Sequence, residues 1–335
     1  MLVSMPESQD IISQSIPSLT QFLGEEQARF PNIPTAIPII IQAMATSARF
    51  ISKAVVQSMI DKDVSFTESL NCSGDTQQKL DIVAQSFFLE ALEATHEVCA
   101  VISEEADSVV PLRNKNARYI VALDPLDGSS NINVNSPIGT LFSIYQRISP
   151  SETPIQDADV LIPGKQQLAA GYMLYSTVNT LVYATIYGVH GFTYDPTVNQ
   201  FFLTHPALRM PENGITYAIN HSYLHTFPHY IQNYIAYCRR QELTSRYTGA
   251  LVADFHRHLL EGGIYLYPPT YKRPKGKLRL MFECNVLAFI AEQAGGLATD
   301  GKQPILNIIP RHIHQCVPFY IGSKTMVKNL LNCVG

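Results

Sequence analysis

The 335-residue chain is poor in charge and lacks most of the short motifs that assign a chemistry at once. Only 16% of its residues are charged, and 24 basic side chains against 28 acidic ones leave a formal charge of −4. No basic block of the kind that tracks a nucleic-acid backbone is present, so no nucleic-acid partner is expected. The six cysteines (Cys72, Cys99, Cys238, Cys284, Cys316, Cys333) never fall closer than 17 residues apart. No CxxC zinc or redox pair can be drawn from them, and they read as buried structural thiols. The start, MLVSMPESQD, has no basic n-region of a secretory signal, which points to a reducing, cytoplasmic setting. Neither GxxxxGK(S/T) nor GxGxxG occurs, which removes the usual nucleotide folds. The absence of GxSxG and HExxH removes the usual serine hydrolases and zinc proteases.

Two uncharged runs are too broken to span a bilayer. Residues 30 to 48 contain Pro31, Pro34 and Pro38, and their apolar part is shorter than the roughly 20 residues a span needs. Residues 166 to 194 carry Ser176, Thr177, Asn179, Thr180 and three glycines, and the alternation in TLVYATIYGVHGFTYDP predicts paired strands. No membrane partner is expected.

What the chain does have is apolar surface: 46% of its residues are hydrophobic, enough to bury about two domain cores. Helical spacing of Ile40, Met44, Phe50, Ile51, Ala54 and Val55 predicts a helix from Ile39 to Ile60. A second helix is expected from about Asp75 through LDIVAQSFFLEALEAT. The runs 98 to 103, 119 to 123 and 139 to 147 read as strands of a mainly antiparallel sheet. The stretch 151 to 164 reads as an exposed loop. A seam near 203 to 214 divides an N-terminal domain, 1–205, from a C-terminal one, 206–335. Beyond the seam the pattern predicts a strand (ITYAI), helices near 228 to 242 and 250 to 261, a strand (IYLYP), a helix at 284 to 294 and a last strand and helix.

The chemistry lies in carboxylates at strand ends. The octapeptide from Asp124 to Asn131, DPLDGSSN, directly follows the buried run YIVAL. It offers Asp124, Asp127 and the Leu126 carbonyl, oxygen ligands of the type hard cations take. Pro125 should stop the ladder and Gly128 should free the backbone for an unusual turn. Gly128, Ser129 and Ser130 present backbone N–H groups suited to an oxyanion. The alternative is an acidic turn that caps a helix through Ser129 and Ser130. Glu104 and Glu105 follow a second buried run, while Asp75 and Asp81 flank the start of a helix. Read one by one, these are surface acids or caps. Drawn together they could not all stay ionised, since two unit charges about 4 Å apart repel by roughly 4 kcal/mol at an effective dielectric of 20. Convergence would therefore imply metal ions. In the second half, KLRLMFE alternates so that Lys277, Arg279, Met281 and Glu283 would share one strand face. Arg246, Tyr247 and Tyr267 complete a basic, tyrosine-rich patch.

Taken together these segments resemble class I fructose-1,6-bisphosphatase, within the Mg²⁺-dependent, lithium-sensitive sugar and inositol phosphatases. The match runs from about residue 40 to the C-terminus and follows the order SGD…KLD, SEE, DPLDGSSN, IGTLFSIY, AAGY, SRYTGALVADFHR, GGIYLYP, GKLRLMFECN and AGG. The resemblance implies an α/β (α+β) sugar phosphatase fold, a layered αβαβα sandwich, with a possible allosteric region in its N-terminal domain. It implies two or three Mg²⁺, with Mn²⁺ as substitute, on Asp75, Glu104, Glu105, Asp124, the Leu126 carbonyl, Asp127 and Glu283. The position-1 phosphate would sit against those ions and the backbone of Gly128, Ser129 and Ser130, with Arg279 close by. Asn220, Tyr223, Tyr247, Tyr267 and Lys277 would hold the 6-phosphate and sugar, and Arg246 would reach in from a neighbouring subunit of a homotetramer. Asp81 and Glu105 would position the attacking water. Alternatives are a sedoheptulose-1,7-bisphosphatase or another sugar phosphatase, or an inactive regulatory protein on the same scaffold.

The departures are informative. The family usually has Asp at Asn133, Pro at Val286, Tyr at Phe282 and Glu-Gly at His221-Ser222. Asn133 lowers the negative charge near the metals, and weaker or altered cation affinity is expected. Pro34-Thr35-Ala36 lacks the glycine and acid of the AMP-sensitive members, and Gln146 replaces an arginine, although Arg118-Tyr119 resembles the usual Lys-Tyr pair. AMP inhibition is expected to be weak or absent. The 151 to 164 stretch has no cysteine for a plastid redox loop.

Overall fold

The computed structural model describes residues 16–60, 69–70, 76–77 and 79–333. The first layer is helical. Helix α1 (Leu19–Arg29) opens on a capping box between Ser18 and Gln21. Helices α2 (Ala36–Ile60) and α3 (Lys79–Ala94) follow. Apolar residues at helical spacing, Ile37, Ile40, Ile41 and Met44 of α2 with Phe88 and Leu92 of α3, are buried against Val101, Val121 and Phe142. With 25 residues, α2 is long and apolar enough to cross a membrane, but its apolar stripe is part of this core.

The next elements are strands. A small pair, β1 (Ser69–Leu70) and β2 (Thr76–Gln77), is antiparallel. Then come β3 (Val98–Ser103), β4 (Val110–Pro111), β5 (Tyr119–Asp127), β6 (Ile138–Gln146), a short helix α4 (Asp157–Val160), β7 (Ala169–Tyr175), β8 (Thr180–Thr185), β9 (Gly188–Asp195) and β10 (Gln200–His205). Strands β3 to β10 form one eight-stranded sheet in the order β10-β9-β8-β7-β6-β5-β3-β4. Only β3 and β5 run parallel within it, which sends the C-terminal ends of both strands, and the acids that follow them, to the same edge.

The C-terminal half contributes β11 (Thr216–Ala218), α5 (His229–Arg240), β12 (Thr244–Ser245), α6 (Leu251–Glu261), β13 (Ile264–Tyr267), β14 (Leu278–Arg279), α7 (Asn285–Gln293), β15 (Leu297–Thr299), β16 (Cys316–Val317), β17 (Phe319–Gly322) and α8 (Lys324–Leu331). Five strands make a second sheet in the order β12-β11-β13-β17-β15, and β14 pairs with β16 apart from it. Helices α6 and α7 fill the space between the sheets: Val252, Phe255, Leu287 and Ile290 pack with Leu141 and Tyr172 on one side and Tyr265 and Phe319 on the other. Helices α5 and α8 close the far side through Ile231, Tyr234, Val327 and Leu330. The chain is thus an α+β sandwich of five layers, helix–sheet–helix–sheet–helix.

Four expectations need correction. KLRLMFE is not an alternating strand: only Leu278–Arg279 is extended, and Leu280–Cys284 is a single π turn. Residues 278 to 284 are buried on every side, so the apparent period of two has no face to serve. The 151 to 164 stretch is not merely an exposed loop, because α4 buries Asp159 completely beside the equally buried Arg147. Helix α3 begins at Lys79 rather than near Asp75. Of the cysteines, Cys99, Cys238 and Cys284 are buried, whereas Cys316 and Cys333 are half-buried; Cys72 lies outside the described residues.

Candidate active site

Strand β5 is buried from Tyr119 to Leu126 and runs on past Pro125 to Asp127, where the sequence suggested it would stop. The ladder to β6 slips between Asp124 and Asp127, a bulge that accommodates the missing proline donor and re-aims both carboxylates. Thr140 Oγ1 donates to the Pro125 carbonyl at 2.8 Å and fixes the bulge. Gly128 follows at φ +76°, and a Cβ there would stand 2.6 Å from that of Ala250, so the turn requires glycine. A 3-10 turn from Ser129 to Val134 leads away.

Each carboxylate is held. Asp124 Oδ1 accepts from Leu126 N at 3.0 Å, and Asp127 Oδ2 accepts from Val252 N, in the first turn of α6, at 2.8 Å. The π turn brings in Glu283, whose Oε2 accepts from Arg279 N at 2.6 Å. The Arg279 guanidinium is ion-paired to Glu104, just past the end of β3. One oxygen from each of Asp124, Asp127 and Glu283 lies within 4.8 Å of the other two. Together with Asp81, in the first turn of α3, and with Glu104 and Glu105, these residues line a cavity of about 370 Å³. Leu126, Gly128, Ser129, Ser130, Tyr247, Tyr267 and Lys277 line it too.

Burial and crowding set the electrostatics. Burial raises the Asp124 carboxyl well above its usual range, and Glu104, Asp127 and Glu283 add to the effect. Asp127 is raised to about 7, chiefly by burial and against the bond from Val252. Glu283 is raised to about 8 by burial and by Glu104, with Arg279 opposing. A largely buried cluster of oxygen ligands that resist ionisation when alone fits a hard divalent cation, which would restore the charged forms. The donor set, all oxygen with no thiol or imidazole, suits Mg²⁺ or Mn²⁺ better than zinc.

A second cavity, about 600 Å³, adjoins the first and shares Tyr267 and Lys277 with it. Asn220 and Tyr223 are in its wall. Asn220 Oδ1 accepts from Ser222 N at 3.0 Å, and its side chain also hydrogen-bonds the Tyr247 hydroxyl. The expected site residues thus fall into two joined chambers. Arg246 lines neither chamber and is exposed, and Asp75 lies outside the described residues. Asn133 is exposed on the 3-10 turn and is not among the residues that line the cavity.

Sequence reasoning passed over Tyr265, Gly249, Leu251 and Asp254. Tyr265 is buried in the cavity wall and stacks on Tyr267 with ring centroids 6.3 Å apart. Asp254, buried on α6, accepts from Thr248 N with both oxygens, at 3.0 and 3.1 Å, and so shapes the loop that carries Tyr247. The signal was available: an acid in the first turn of a helix that follows a Ser/Thr/Gly-rich loop commonly caps that loop.

Comparison with known proteins agrees over most of the chain. A family model described as the fructose-1-6-bisphosphatase N-terminal domain matches residues 17–206, and its C-terminal counterpart matches 210–335. A crystal structure of Leishmania major fructose-1,6-bisphosphatase in holo form is similar at 31% identity with a TM-score of 0.88, the match covering 95% of this chain and 99% of that one.

Proposed function

The chain belongs to the fructose-1-6-bisphosphatase family, and from that premise we propose that it hydrolyses the position-1 phosphate of fructose 1,6-bisphosphate, releasing fructose 6-phosphate and inorganic phosphate in gluconeogenesis. The observation that carries the reading is the pair of joined chambers, one walled by six acids and the other by cations and tyrosines, meeting at Tyr267 and Lys277. A ligand with a phosphate at each end matches that polarity, its reacting end in the acid chamber with the metals and its distal end among the cations.

Asp124, Asp127, Glu283, Glu104, Glu105 and the Leu126 carbonyl, with Asp75, would hold two or three Mg²⁺, with Mn²⁺ as substitute. When bound, such ions draw charge off the phosphoryl group and lower the pKa of bound water. The chain's own part is positioning. The N–H groups of Gly128, Ser129 and Ser130 orient the phosphoryl oxygens, and the buried Arg279 faces the same chamber with a fixed positive charge. Asp81 and Glu105 hold the attacking water by its hydrogens. Asn220, Tyr223, Tyr247, Tyr267 and Lys277 take the sugar and its 6-phosphate, each charge-assisted hydrogen bond worth about 1.5–3 kcal/mol, and this remote binding fixes the reacting end. No covalent intermediate is required.

We divide the chain into an N-terminal domain, 1–205, and a C-terminal one, 206–335, and residues of both line the acid chamber. A homotetramer, in which the exposed Arg246 would enter the neighbouring subunit's site, and a cytoplasmic location belong to the same reading. Weak or absent AMP inhibition follows from Gln146 and Pro34-Thr35-Ala36; a micromolar inhibition constant would contradict it. An inactive regulatory protein would have no use for six acids kept in one cavity wall. The test is incubation with fructose 1,6-bisphosphate in Mg²⁺, with identification of the organic product. Fructose 6-phosphate formed one-to-one with inorganic phosphate is expected; fructose 1-phosphate, or no release, overturns the reading.

A further inference from the structure

Glu104 and Glu105 sit on a turn that is tied from both halves of the chain. Ala106 N donates to the Ser103 carbonyl at 3.2 Å, which closes a β-turn with the two acids as its central residues. From the first sheet, the Leu123 carbonyl accepts from Glu104 N at 3.0 Å, and Ser103 Oγ accepts from Glu105 N at 3.3 Å. From the C-terminal half comes His314, 208 residues beyond Ala106, with its Nε2 2.9 Å from the Ala106 carbonyl oxygen. A carbonyl only accepts, so Nε2 carries the proton and the imidazole is the donor.

The imidazole is itself held against the other acidic segment. Its ring lies on that of Phe282, buried in the π turn directly before Glu283, with centroids 5.4 Å apart. The stretch that carries it, 311 to 317, is fastened to the same turn: Leu280 N donates to the Gln315 carbonyl at 2.7 Å, while Arg279 pairs with Cys316 and Leu278 with Val317. Its own bend is closed by Gln315 N donating to the His312 carbonyl at 3.1 Å and by Arg311 N donating to Gln315 Oε1 at 2.7 Å. His314 is not among the residues that line the acid cavity. It touches the backbone beside Glu105 and the ring beside Glu283, and so joins the two segments from behind.

We propose that His314 is a positioning residue for the divalent-cation site: by clamping the Glu104–Glu105 turn to the π turn, it fixes how far the carboxylates of one half stand from Glu283 of the other. The inference rests on the function proposed above and adds to it a residue outside the cavity. Carboxylates drawn together repel one another, and Glu104 acts on Glu283 in this sense. The Arg279–Glu104 ion pair opposes that repulsion with charge, whereas the bond from His314 opposes it through the backbone and leaves the carboxylate oxygens to the cation. Mg²⁺ tolerates little departure from octahedral geometry at about 2.0–2.1 Å, so a turn that drifts outward binds it less well. Groups that orient metal ligands from behind are commonly worth about 10–100-fold in affinity.

The test compares the wild type with His314→Phe, which keeps a ring on Phe282 but has no N–H, and with His314→Gln, whose amide can donate at a similar reach. Two constants are read: the dissociation constant of Mn²⁺ without substrate, by electron paramagnetic resonance, and the Mg²⁺ concentration for half-maximal phosphate release from fructose 1,6-bisphosphate. In His314→Phe both are expected to rise about tenfold, with KM for the sugar bisphosphate unchanged at saturating Mg²⁺, and His314→Gln should recover most of the loss. Should the phenylalanine variant not fold, His314→Asn, whose amide is too short to reach Ala106, replaces it with the same expectation. Unchanged cation constants overturn the role, even if the thermal melt in chelator falls, since a merely structural histidine would do that. A glutamine variant as weak as the phenylalanine one overturns it too. If the wild type binds Mn²⁺ but releases no phosphate, the function proposed above fails, and the Mn²⁺ constants still decide the part of His314. A wild type that binds no Mn²⁺ overturns both.

Discussion

The carboxylate of Glu104 lies against the guanidinium of Arg279, 175 residues further along the chain, and the backbone N–H of the same arginine holds Glu283. One residue therefore ties the end of a strand in the first sheet to the π turn of the C-terminal half, and it sets a positive charge among the acids of the cavity wall.

Replacing that charge should show in two ways. Arg279→Gln removes the buried guanidinium that is ion-paired to Glu104, and the metal-free variant is expected to lose about 3 kcal/mol in denaturant unfolding. At saturating cation its phosphate release should fall on the order of 10²–10³-fold, since a fixed charge beside the reacting phosphate is lost. Unchanged unfolding and unchanged rate would contradict the assignment.

The acids should make metal-free stability fall with pH. Asp127 and Glu283 are raised to about 7 and 8 from usual values of 3.8 and 4.5, so the folded chain holds more protons than the unfolded one across this range. Their stabilising protons are in place at low pH and are lost as pH rises through 7 and 8. Buried His258 and half-buried His190 and His256, lowered by desolvation to about 3, 4 and 4, act in the opposite sense, mainly below their unfolded value of 6.5. Between pH 6.5 and 8.5 the raised carboxyls are the main contribution among the described residues. Thermal melts in chelator are expected to drop across that window, Glu283→Gln should flatten the slope, and Mg²⁺ should add most at the alkaline end. A melt that rises with pH there would contradict the account.

Much of this was legible in the sequence, and the illegible part has physical causes. Asp124, Asp127, Glu104 and Glu105 could be placed because each pair follows a run of buried β-formers, and a strand has to end where its apolar residues end. Glu283 was grouped with the other acids only through the family resemblance, and the strand face expected to carry it is not there. Residues 278 to 284 are buried all round, so periodicity carries no information there, and the π turn that aims Glu283 could not be seen. Asp159 read as a surface acid because its partner, Arg147, reaches it only through the fold. Asp254 went unnoticed because its task is to hold the Thr248 backbone rather than to face the substrate.

That hidden pair makes its own prediction. Arg147 Nε lies 3.8 Å from Asp159 Oδ2 with both side chains buried, and the guanidinium also donates to the carbonyls of Lys115, Ser151 and Thr153. Burial alone would raise the Asp159 carboxyl, but hydrogen bonds from Gln156, Ser149 and Ile148 outweigh it and hold it below the usual range. Asp159→Ala is expected to cost about 3–5 kcal/mol in denaturant unfolding by stranding a buried charge. A loss under about 1 kcal/mol would show the pair to be incidental.

Gly128 separates chemistry from folding. Gly128→Ala places a Cβ 2.6 Å from Ala250 at a left-handed φ, so the turn bearing Ser129 and Ser130 must move. Backbone strain of this kind is worth about 1–3 kcal/mol. The rate should fall by at least tenfold through kcat, because the oxyanion-facing N–H groups shift. Full activity would remove that turn from the mechanism.

The most direct test of the whole account is phosphate release from fructose 1,6-bisphosphate with and without Mg²⁺, wild type beside Asp127→Ala. The account predicts turnover by the wild type only when the cation is present, and a loss of at least two orders of magnitude in the variant at any Mg²⁺ concentration. Cation-independent turnover, or a variant that matches the wild type, would contradict it.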